Sequence, residues 1–136
     1  MITREADYAL RTVLYLSENI GKGPVSTSLA GEKLQIPYRF LRKISRELIE
    51  SGIARSQRGK QGGLLLNKSP DKISLLDVIV IFDKRFVTFN LCCSDTEDCD
   101  RKPGCRVHKY FNEIQTDVLT KLSSIYFSQI LSDKMP

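Results

Sequence analysis

The sequence predicts a mainly α-helical fold with a small β-hairpin wing: a winged helix-turn-helix followed by a long C-terminal helix. The first observation behind this prediction is the order of the segments, which is helix, helix, turn, helix and hairpin. The second is positive charge concentrated in residues 38–60, and the third is that all four cysteines lie between Cys92 and Cys105. A chain of 136 residues is large enough for one buried core.

The first three helices follow from the spacing of apolar residues and from the residues that end each segment. Apolar side chains recur at helical spacing over residues 3–19, and a turn containing glycine and proline follows. A second, short helix is expected after Ser26. Pro37 suits the first turn of the third helix, which we expect to run to about Ser51, where Gly52 stops it.

The charge of the third helix predicts its function. Residues 38–60 hold seven basic and two acidic side chains, a net charge equal to the +5 of the whole chain. Four of the cations follow at i, i+3, i+4 and i+7 and cover an arc of roughly 100°, opposite an apolar stripe of Phe40, Leu41, Ile44 and Leu48. Such a helix suits insertion into the major groove of DNA, where Arg and Lys contact phosphates and guanine, and where Ser45 could add a neutral contact.

The hairpin extends the predicted DNA-binding surface. Residues 53–57 and 63–67 are expected to form two short strands, joined by a thin turn with glycines and flanking cations. Such a tip suits a DNA minor groove, whereas the major groove of A-form RNA does not admit a helix. The candidate DNA contacts are Ser28, Tyr38, Arg39, Arg42, Lys43, Arg46, Arg55, Arg58, Lys60 and Gln61.

The C-terminal part is predicted to pair two copies of the chain. A helix over residues 75–82 opens with a capping box of Ser74 and Asp77. Residues 83–104 form an irregular loop whose acidic residues include Asp95, Glu97, Asp98 and Asp100, and one long helix from about Cys105 to Leu131 follows. A stripe close to heptad spacing along this helix predicts a homodimer. Its members are Val107, Phe111, Ile114, Val118, Leu122, Ile125 and Gln129.

The cysteines form a candidate metal centre. Cys93, Cys99, Cys105 and His108 follow the pattern C-x5-C-x5-C-x2-H, and the last two share one face at the start of the long helix. Three thiolates and an imidazole can bind zinc or an iron–sulfur cluster, and a metal-free disulfide or thiol switch stays open. Cys92 is an extra thiol that could replace Cys93 and change the spacing to C-x6-C-x5-C.

Several classes of protein are excluded. No stretch approaches the roughly 18 uninterrupted apolar residues of a membrane helix, so we expect no membrane segment. The first seven residues carry charges where a signal peptide has its apolar region, which predicts a cytoplasmic protein. One histidine, with no nucleophile–base pair and no phosphate-binding glycine loop, argues against an enzyme.

The chain resembles the Rrf-two superfamily of bacterial transcription factors. The resemblance rests on Asp7-Tyr-Ala-Leu-Arg-Thr-Val-Leu-Tyr-Leu16, the helix pair, Arg58-Gly-Lys-Gln-Gly-Gly63, Ile73-Ser-Leu-Leu-Asp-Val78 and the cysteine loop. It implies a homodimer paired through the C-terminal helix that binds a roughly palindromic operator on double-stranded DNA and represses or activates genes, of which we favour repression. It also implies an iron–sulfur cluster in each subunit, which senses redox state, nitric oxide or iron supply.

The fourth cluster ligand differs between branches of this superfamily. Cys-x2-His resembles the branch with a [2Fe–2S] cluster and points to His108, which we favour. The Asp-Tyr motif resembles a branch with a [4Fe–4S] cluster and points to Asp7 of the partner subunit. We therefore expect a DNA-binding domain over residues 1–82, a cluster-binding loop over 83–104, a dimerisation helix over 105–131 and a tail over 132–136. A structural zinc and a metal-free thiol switch are the alternatives.

Overall fold

The structure, a computed structural model, describes residues 2–88, 90–94 and 99–135. Within these ranges the chain forms six helices and one two-stranded antiparallel hairpin, and the predicted winged-helix fold is confirmed. The elements are α1 (Arg4–Glu18), α2 (Thr27–Leu34), α3 (Tyr38–Glu50), β1 (Ala54–Gln57), β2 (Gly63–Leu66), α4 (Leu75–Phe82), α5 (Arg106–Ser124) and α6 (Phe127–Ser132). Short 3₁₀ turns lie at Pro70–Lys72, Lys84–Val87 and Leu91–Cys93.

The core lies between α1, α3 and the hairpin. Ala9, Val13 and Leu16 on one face of α1 belong to the same buried cluster as Ile44 and Leu48 of α3. These positions are the apolar stripes that the sequence predicts for the two helices. The cations of α3 are therefore forced to the outside, because the opposite face of that helix is committed to the core.

A tight turn sets the angle between α2 and α3. Gln35 adopts a left-handed conformation with φ 55°, and the amide of Ile36 donates to the carbonyl of Gly31 at 2.9 Å. A Cβ added at Gly31 would lie 3.1 Å from the Ile36 carbonyl oxygen, so a side chain there would push against this turn. Ile36 is buried, and Pro37 then begins α3 as its N-cap.

The wing is attached to the segment before α2. The amide of Val25 donates to the carbonyl of Leu64 at 2.9 Å, and the amide of Leu64 donates back to the carbonyl of Val25 at 2.8 Å. A Cβ added at Gly63 would overlap the Val25 carbonyl, so only glycine permits this close approach. The end of the hairpin next to its turn is thereby fixed to the segment before α2.

The predicted long helix from Cys105 to Leu131 is divided in two. α5 ends at Ser124, the chain is extended at Ile125 and Tyr126, and α6 begins at Phe127. The prediction was wrong on this point because helical spacing alone does not reveal a competing backbone partner. Of the predicted stripe, Ile125 lies in the break and Gln129 lies on α6, while the other members lie on α5.

A backbone pairing to the start of α4 causes this break. The amide of Leu75 donates to the carbonyl of Ile125 at 2.9 Å, and the amide of Phe127 donates to the carbonyl of Ile73 at 3.0 Å. The side chain of Phe127 is 1% exposed and joins the core cluster of α1 and α3. Among the described helices, none is both long enough and apolar enough to cross a membrane.

Ser45 of α3 points into the core, which corrects the expectation that it faces DNA. The residue is 8% exposed, and its Oγ has no hydrogen-bond partner among the described residues. It lines a cavity of about 10 Å³ together with Thr12, Leu41 and Leu64. A buried hydroxyl without a partner lowers stability, since it loses its hydrogen bonds to water on folding.

We predict that Ser45→Ala raises the free energy of unfolding by about 1 kcal/mol, because it removes this unpaired hydroxyl. The matched control is Ser74→Ala, which should lower it by about 1 kcal/mol. The Oγ of Ser74 accepts from the Asp77 amide at 3.1 Å, and the Asp77 carboxylate accepts from the Ser74 amide at 2.9 Å, as the predicted capping box requires. The free energy of unfolding of both variants is measured by urea denaturation, with circular dichroism as the signal. A loss of stability in Ser45→Ala would contradict the assignment of its hydroxyl as unpaired.

Candidate nucleic-acid interface and metal centre

The cations of α3 lie together on one exposed face. All four predicted members are exposed, while the opposite side of the helix is buried in the core. The exposed members are Arg39, Arg42, Lys43 and Arg46. A row of cations at i, i+3, i+4 and i+7 can contact phosphates on both sides of a groove that the helix enters.

Aromatic packing orients the first of these cations. The ring of Phe40 contacts Tyr8 of α1 edge to face, with ring centroids 5.9 Å apart. The guanidinium of Arg39 lies 5.1 Å from the Phe40 ring centroid, within range of a cation–π interaction. The ring thus connects the core to the exposed face and restricts the positions that Arg39 adopts.

Lys43 differs from its neighbours because it is already paired. Its Nζ donates to the carboxylate of Glu5 on α1, at 3.0 and 3.2 Å from the two oxygens. Both side chains are partly exposed, so the ion pair is open to solvent and to competing anions. The sequence prediction missed Glu5, because the two residues are 38 positions apart and nothing in the local spacing connects them.

The wing presents a second group of exposed polar side chains. Arg55 lies on β1, and the three others lie on the turn between the strands: Arg58, Lys60 and Gln61. The turn is narrow, since the amide of Gly62 donates to the carbonyl of Gly59 at 3.0 Å and a Cβ added at Gly62 would overlap the Gln57 carbonyl. The remaining predicted contacts, Ser28 and Tyr38, are exposed and line one open groove beside the turn between α2 and α3.

The structure brings together two thiols and the imidazole. The Sγ atoms of Cys92 and Cys93 and a ring nitrogen of His108 all lie within 4.8 Å of one another. The two sulfur atoms are 3.9 Å apart, and both cysteines are half-buried. The group therefore contains Cys92, which the sequence left as an extra thiol.

Cys99 and Cys105 lie outside this group of three, although both are half-buried. Cys105 is the N-cap of α5, and its Sγ accepts from the amide of His108 at 3.4 Å. Cys105 and His108 are thus adjacent at the start of α5, in the relation that their spacing predicts. Three of the predicted acidic residues of the loop, Asp95, Glu97 and Asp98, lie outside the described residues.

The imidazole of His108 fits a metal ligand. Its Nδ1 is buried and has no hydrogen-bond partner in the described ranges 2–88, 90–94 and 99–135. A buried ring nitrogen normally has a partner, and bonding to a metal would satisfy it. Thiolate and imidazole donors together suit zinc or iron in an iron–sulfur cluster. Cys92, Cys93 and His108 thus supply donors that suit a metal centre, while the predicted ligands Cys99 and Cys105 lie outside this group.

The alternative ligand Asp7 is engaged within its own helix. Its carboxylate accepts from the Nε of Arg11 at 2.9 Å, and both side chains are largely exposed. Asp7 lies in the first turn of α1, where an acidic residue also stabilises the helix N-terminus. This position has a structural role that is independent of any metal.

The apolar row of α5 faces outward. None of the described side chains of this 19-residue helix is buried, although the helix contacts α4 and the Leu91–Cys93 turn on one side. Val107 is 59% exposed and Tyr110 is 62% exposed, and Ile114 and Val118 continue the row. Contiguous exposed apolar surface of this kind marks an interaction site.

Burial raises the pKa of the Cys92 thiol, and the thiol of Cys93, followed by those of Cys99 and Cys105, raises it further. We predict that Cys92 of the metal-free folded protein stays protonated to higher pH than a cysteine of the unfolded chain. Its alkylation by iodoacetamide, which needs the thiolate, should level off at a higher pH in the folded protein than in the unfolded chain. Mass spectrometry of the peptide that contains Cys92 measures the rate. Identical pH profiles in buffer and in urea would contradict the assignment.

Comparison with known proteins places this geometry in a family. The family model described as "Rrf2: Iron-dependent Transcriptional regulator" matches residues 2–133. The transcriptional regulator NsrR of Shouchella clausii is 27% identical over 112 residues, which cover 82% of this chain and 75% of that protein. The transcriptional regulator IscR of Sodalis glossinidius is 25% identical over 133 residues, which cover 98% of this chain and 79% of that protein.

Solved structures support the same fold. CymR, the global cysteine regulator of B. subtilis, superposes with a TM-score of 0.83 at 21% sequence identity, over 99% of this chain and 98% of that one. The relatives are transcriptional regulators and not enzymes, in agreement with the prediction from the sequence. The match to the family model over nearly the whole chain, together with the winged-helix fold and the exposed basic helix, shows that this chain belongs to the Rrf2 family of DNA-binding transcriptional regulators.

Proposed function

We propose that this regulator is a homodimeric repressor whose operator affinity is controlled by an iron–sulfur cluster in each subunit. The observation that carries the proposal is the group of Cys92, Cys93 and His108 beside α5, the helix whose outer face is apolar and exposed. His108 of this group and the candidate dimer face thus share one helix, which the Leu91–Cys93 turn contacts. A change at the ligands can therefore reach the partner subunit through a single rigid element.

Operator binding is assigned to α3 and the wing. The four cations of α3 supply donors for phosphates and for the O6 and N7 atoms of guanine in a major groove. The wing carries Arg55, Arg58 and Lys60 toward the adjacent minor groove, which attracts cations by its negative potential. In a symmetric dimer two copies of α3 would contact half-sites about 34 Å apart, one turn of the duplex.

Dimerisation is assigned to the exposed row of α5. Val107, Ile114 and Val118 follow the heptad-like spacing that the sequence predicts, and Tyr110 extends the same exposed surface. Pairing two such helices would remove these side chains from water, at about 25 cal/mol per Å² of apolar surface. This gain supports a second copy of the chain as the partner.

Cys93, Cys99, Cys105 and His108 are the proposed ligands of a [2Fe–2S] cluster, with Asp7 of the partner subunit as the alternative fourth ligand of a [4Fe–4S] cluster. When bound, such a cluster supplies sensitivity to oxidation, to nitric oxide and to iron supply. Residues of this chain convert a change at the cluster into a change in the position of α5 relative to the winged helix. Cys105 caps α5 and the Leu91–Cys93 turn contacts the same helix, so ligands held together fix the N-terminal end of α5 relative to the winged helix.

A metal-free thiol switch is the second candidate function. It is favoured by the short distance between the sulfur atoms of Cys92 and Cys93, 3.9 Å. A disulfide between neighbouring residues is strained, since their Cα atoms lie about 3.8 Å apart, so a bond that an oxidant forms by taking two electrons from the thiols would be readily cleaved by reductant. This candidate predicts that oxidant and reductant alone change operator binding in protein that holds no iron.

The proposal is tested with protein purified without oxygen. We expect a visible absorption band, a Mössbauer spectrum of an iron–sulfur cluster, and different operator affinities of loaded and metal-free dimer at one salt concentration. The operator is obtained by selection from random duplex DNA. By linkage, the cluster changes DNA affinity only if its stability differs between the two arrangements of the dimer. A colourless zinc protein, or equal affinities of the two forms, would contradict the sensing role.

Removing cations from α3 should weaken operator binding. Arg42→Ala and Arg46→Ala each delete a donor from the exposed face, and each should reduce the dependence of affinity on salt by about one phosphate contact. The parent protein should lose roughly 10³- to 10⁵-fold in affinity between about 50 and about 200 mM salt, for about 6–10 phosphate contacts. Fluorescence anisotropy measures both quantities. Lys134→Ala, an exposed cation near the C-terminus, is the control, and equal losses in all three variants would contradict the assignment.

Glu5→Gln should strengthen binding to DNA of any sequence. The carboxylate of Glu5 competes with DNA phosphates for the ammonium group of Lys43, and the neutral amide of the variant removes that competition. We expect a gain of roughly 2- to 5-fold in affinity for a non-specific duplex at low salt, the size of an exposed ion pair. The control is Glu113→Gln, which removes a carboxylate 3.9 Å from Lys109 on α5. An equal gain in the control would show that only net charge matters.

A further inference from the structure

The metal centre has one donor more than it needs. Five side chains of the described residues offer sulfur or imidazole nitrogen in this region: Cys92, Cys93, Cys99, Cys105 and His108. A tetrahedral metal ion takes four donors, and so does a binuclear iron–sulfur cluster. One thiol of the five is therefore surplus in the loaded protein.

The surplus lies within the Leu91–Cys93 turn. Cys92 and Cys93 are neighbours in the chain, their sulfur atoms are 3.9 Å apart, and both are half-buried. Each sulfur lies within 4.8 Å of the same ring nitrogen of His108. Cys99 and Cys105 each stand six positions from the preceding cysteine in the sequence, and Cys105 also caps α5.

We propose that Cys92 and Cys93 are interchangeable ligands for one position of the centre. The inference rests on the proposed function, because it assumes that the loaded form holds an iron–sulfur cluster. Either sulfur reaches the position with a small rotation of the turn, while the other stays uncoordinated beside the centre. Loss of one thiol to oxidation or alkylation therefore leaves the centre able to bind its metal, through the other thiol.

The test compares three variants of the full-length protein with the parent: Cys92→Ala, Cys93→Ala and the double substitution. Each is purified without oxygen and assayed for iron and acid-labile sulfide per chain and for its visible spectrum. We expect both single variants to keep bound iron, with a small shift of the absorption band when the ligand changes, and the double variant to lose it. Cys99→Ala is the matched control and should lose the cluster as a single substitution.

A second measurement separates ligand loss from a failure of cluster assembly. The metal-free forms of the same variants are titrated with Co²⁺, which gives a thiolate charge-transfer absorption when cysteines bind it. Both single variants should bind Co²⁺, the double variant should not, and circular dichroism establishes that each variant is folded. A folded single variant that binds neither iron nor Co²⁺ overturns the inference, and so does a double variant that still holds iron.

These outcomes are distinct from a failure of the proposed function. Parent protein that holds neither iron nor sulfide after purification without oxygen overturns the proposed function, and the inference with it. Parent protein that is loaded, combined with a folded but empty Cys93→Ala variant, overturns the inference alone. In that case Cys93 is an obligatory ligand and Cys92 has no part in binding.

Discussion

The short antiparallel pairing between residues 73–75 and 125–127 is the constraint on which the rest of the structure depends. Two backbone hydrogen bonds, of 2.9 and 3.0 Å, connect the start of α4 to the break between α5 and α6. Phe127 follows the break and fills the core beside α1 and α3. The pairing lies where α5 ends, and together with the burial of Phe127, the contacts of α5 with α4 and those of α6 with α1 it joins the C-terminal part to the winged helix.

This attachment determines where α5 lies. Its C-terminal end is held by the pairing, and its N-terminal end begins at Cys105, next to the Leu91–Cys93 turn. His108 is consequently placed near Cys92 and Cys93, while the apolar row with Val107 and Tyr110 is left outside. One helix, α5, thus contacts the winged helix and carries residues of both the candidate metal centre and the candidate dimer face. Because a helix is a rigid element, a movement at one end of α5 would displace the other end.

The exposure of the basic face of α3 follows directly from the packing of the opposite side of that helix in the core. One side of α3 is buried in the core through Leu41, Ile44 and Leu48. The cations on the opposite side therefore face solvent. The amphipathic spacing was sufficient to predict the exposure of the cations, because the position of the apolar stripe on a helix also determines which residues lie opposite it. The spacing was not sufficient for Ser45, which sits at the border of the stripe and is buried, nor for the ion pair of Lys43 with Glu5, which joins different helices.

The sequence by itself determined the local elements. The capping box of Ser74 and Asp77, the turn before Pro37 and Gly62 in the wing turn each depend on neighbours a few residues away, so their residue types suffice to predict them. Tertiary structure decided the end of α5 at Ser124 and the proximity of Cys92 to His108. Both depend on contacts between segments far apart in the chain. The spacing of residues along one segment carries no information about which distant backbone or side chain will meet it.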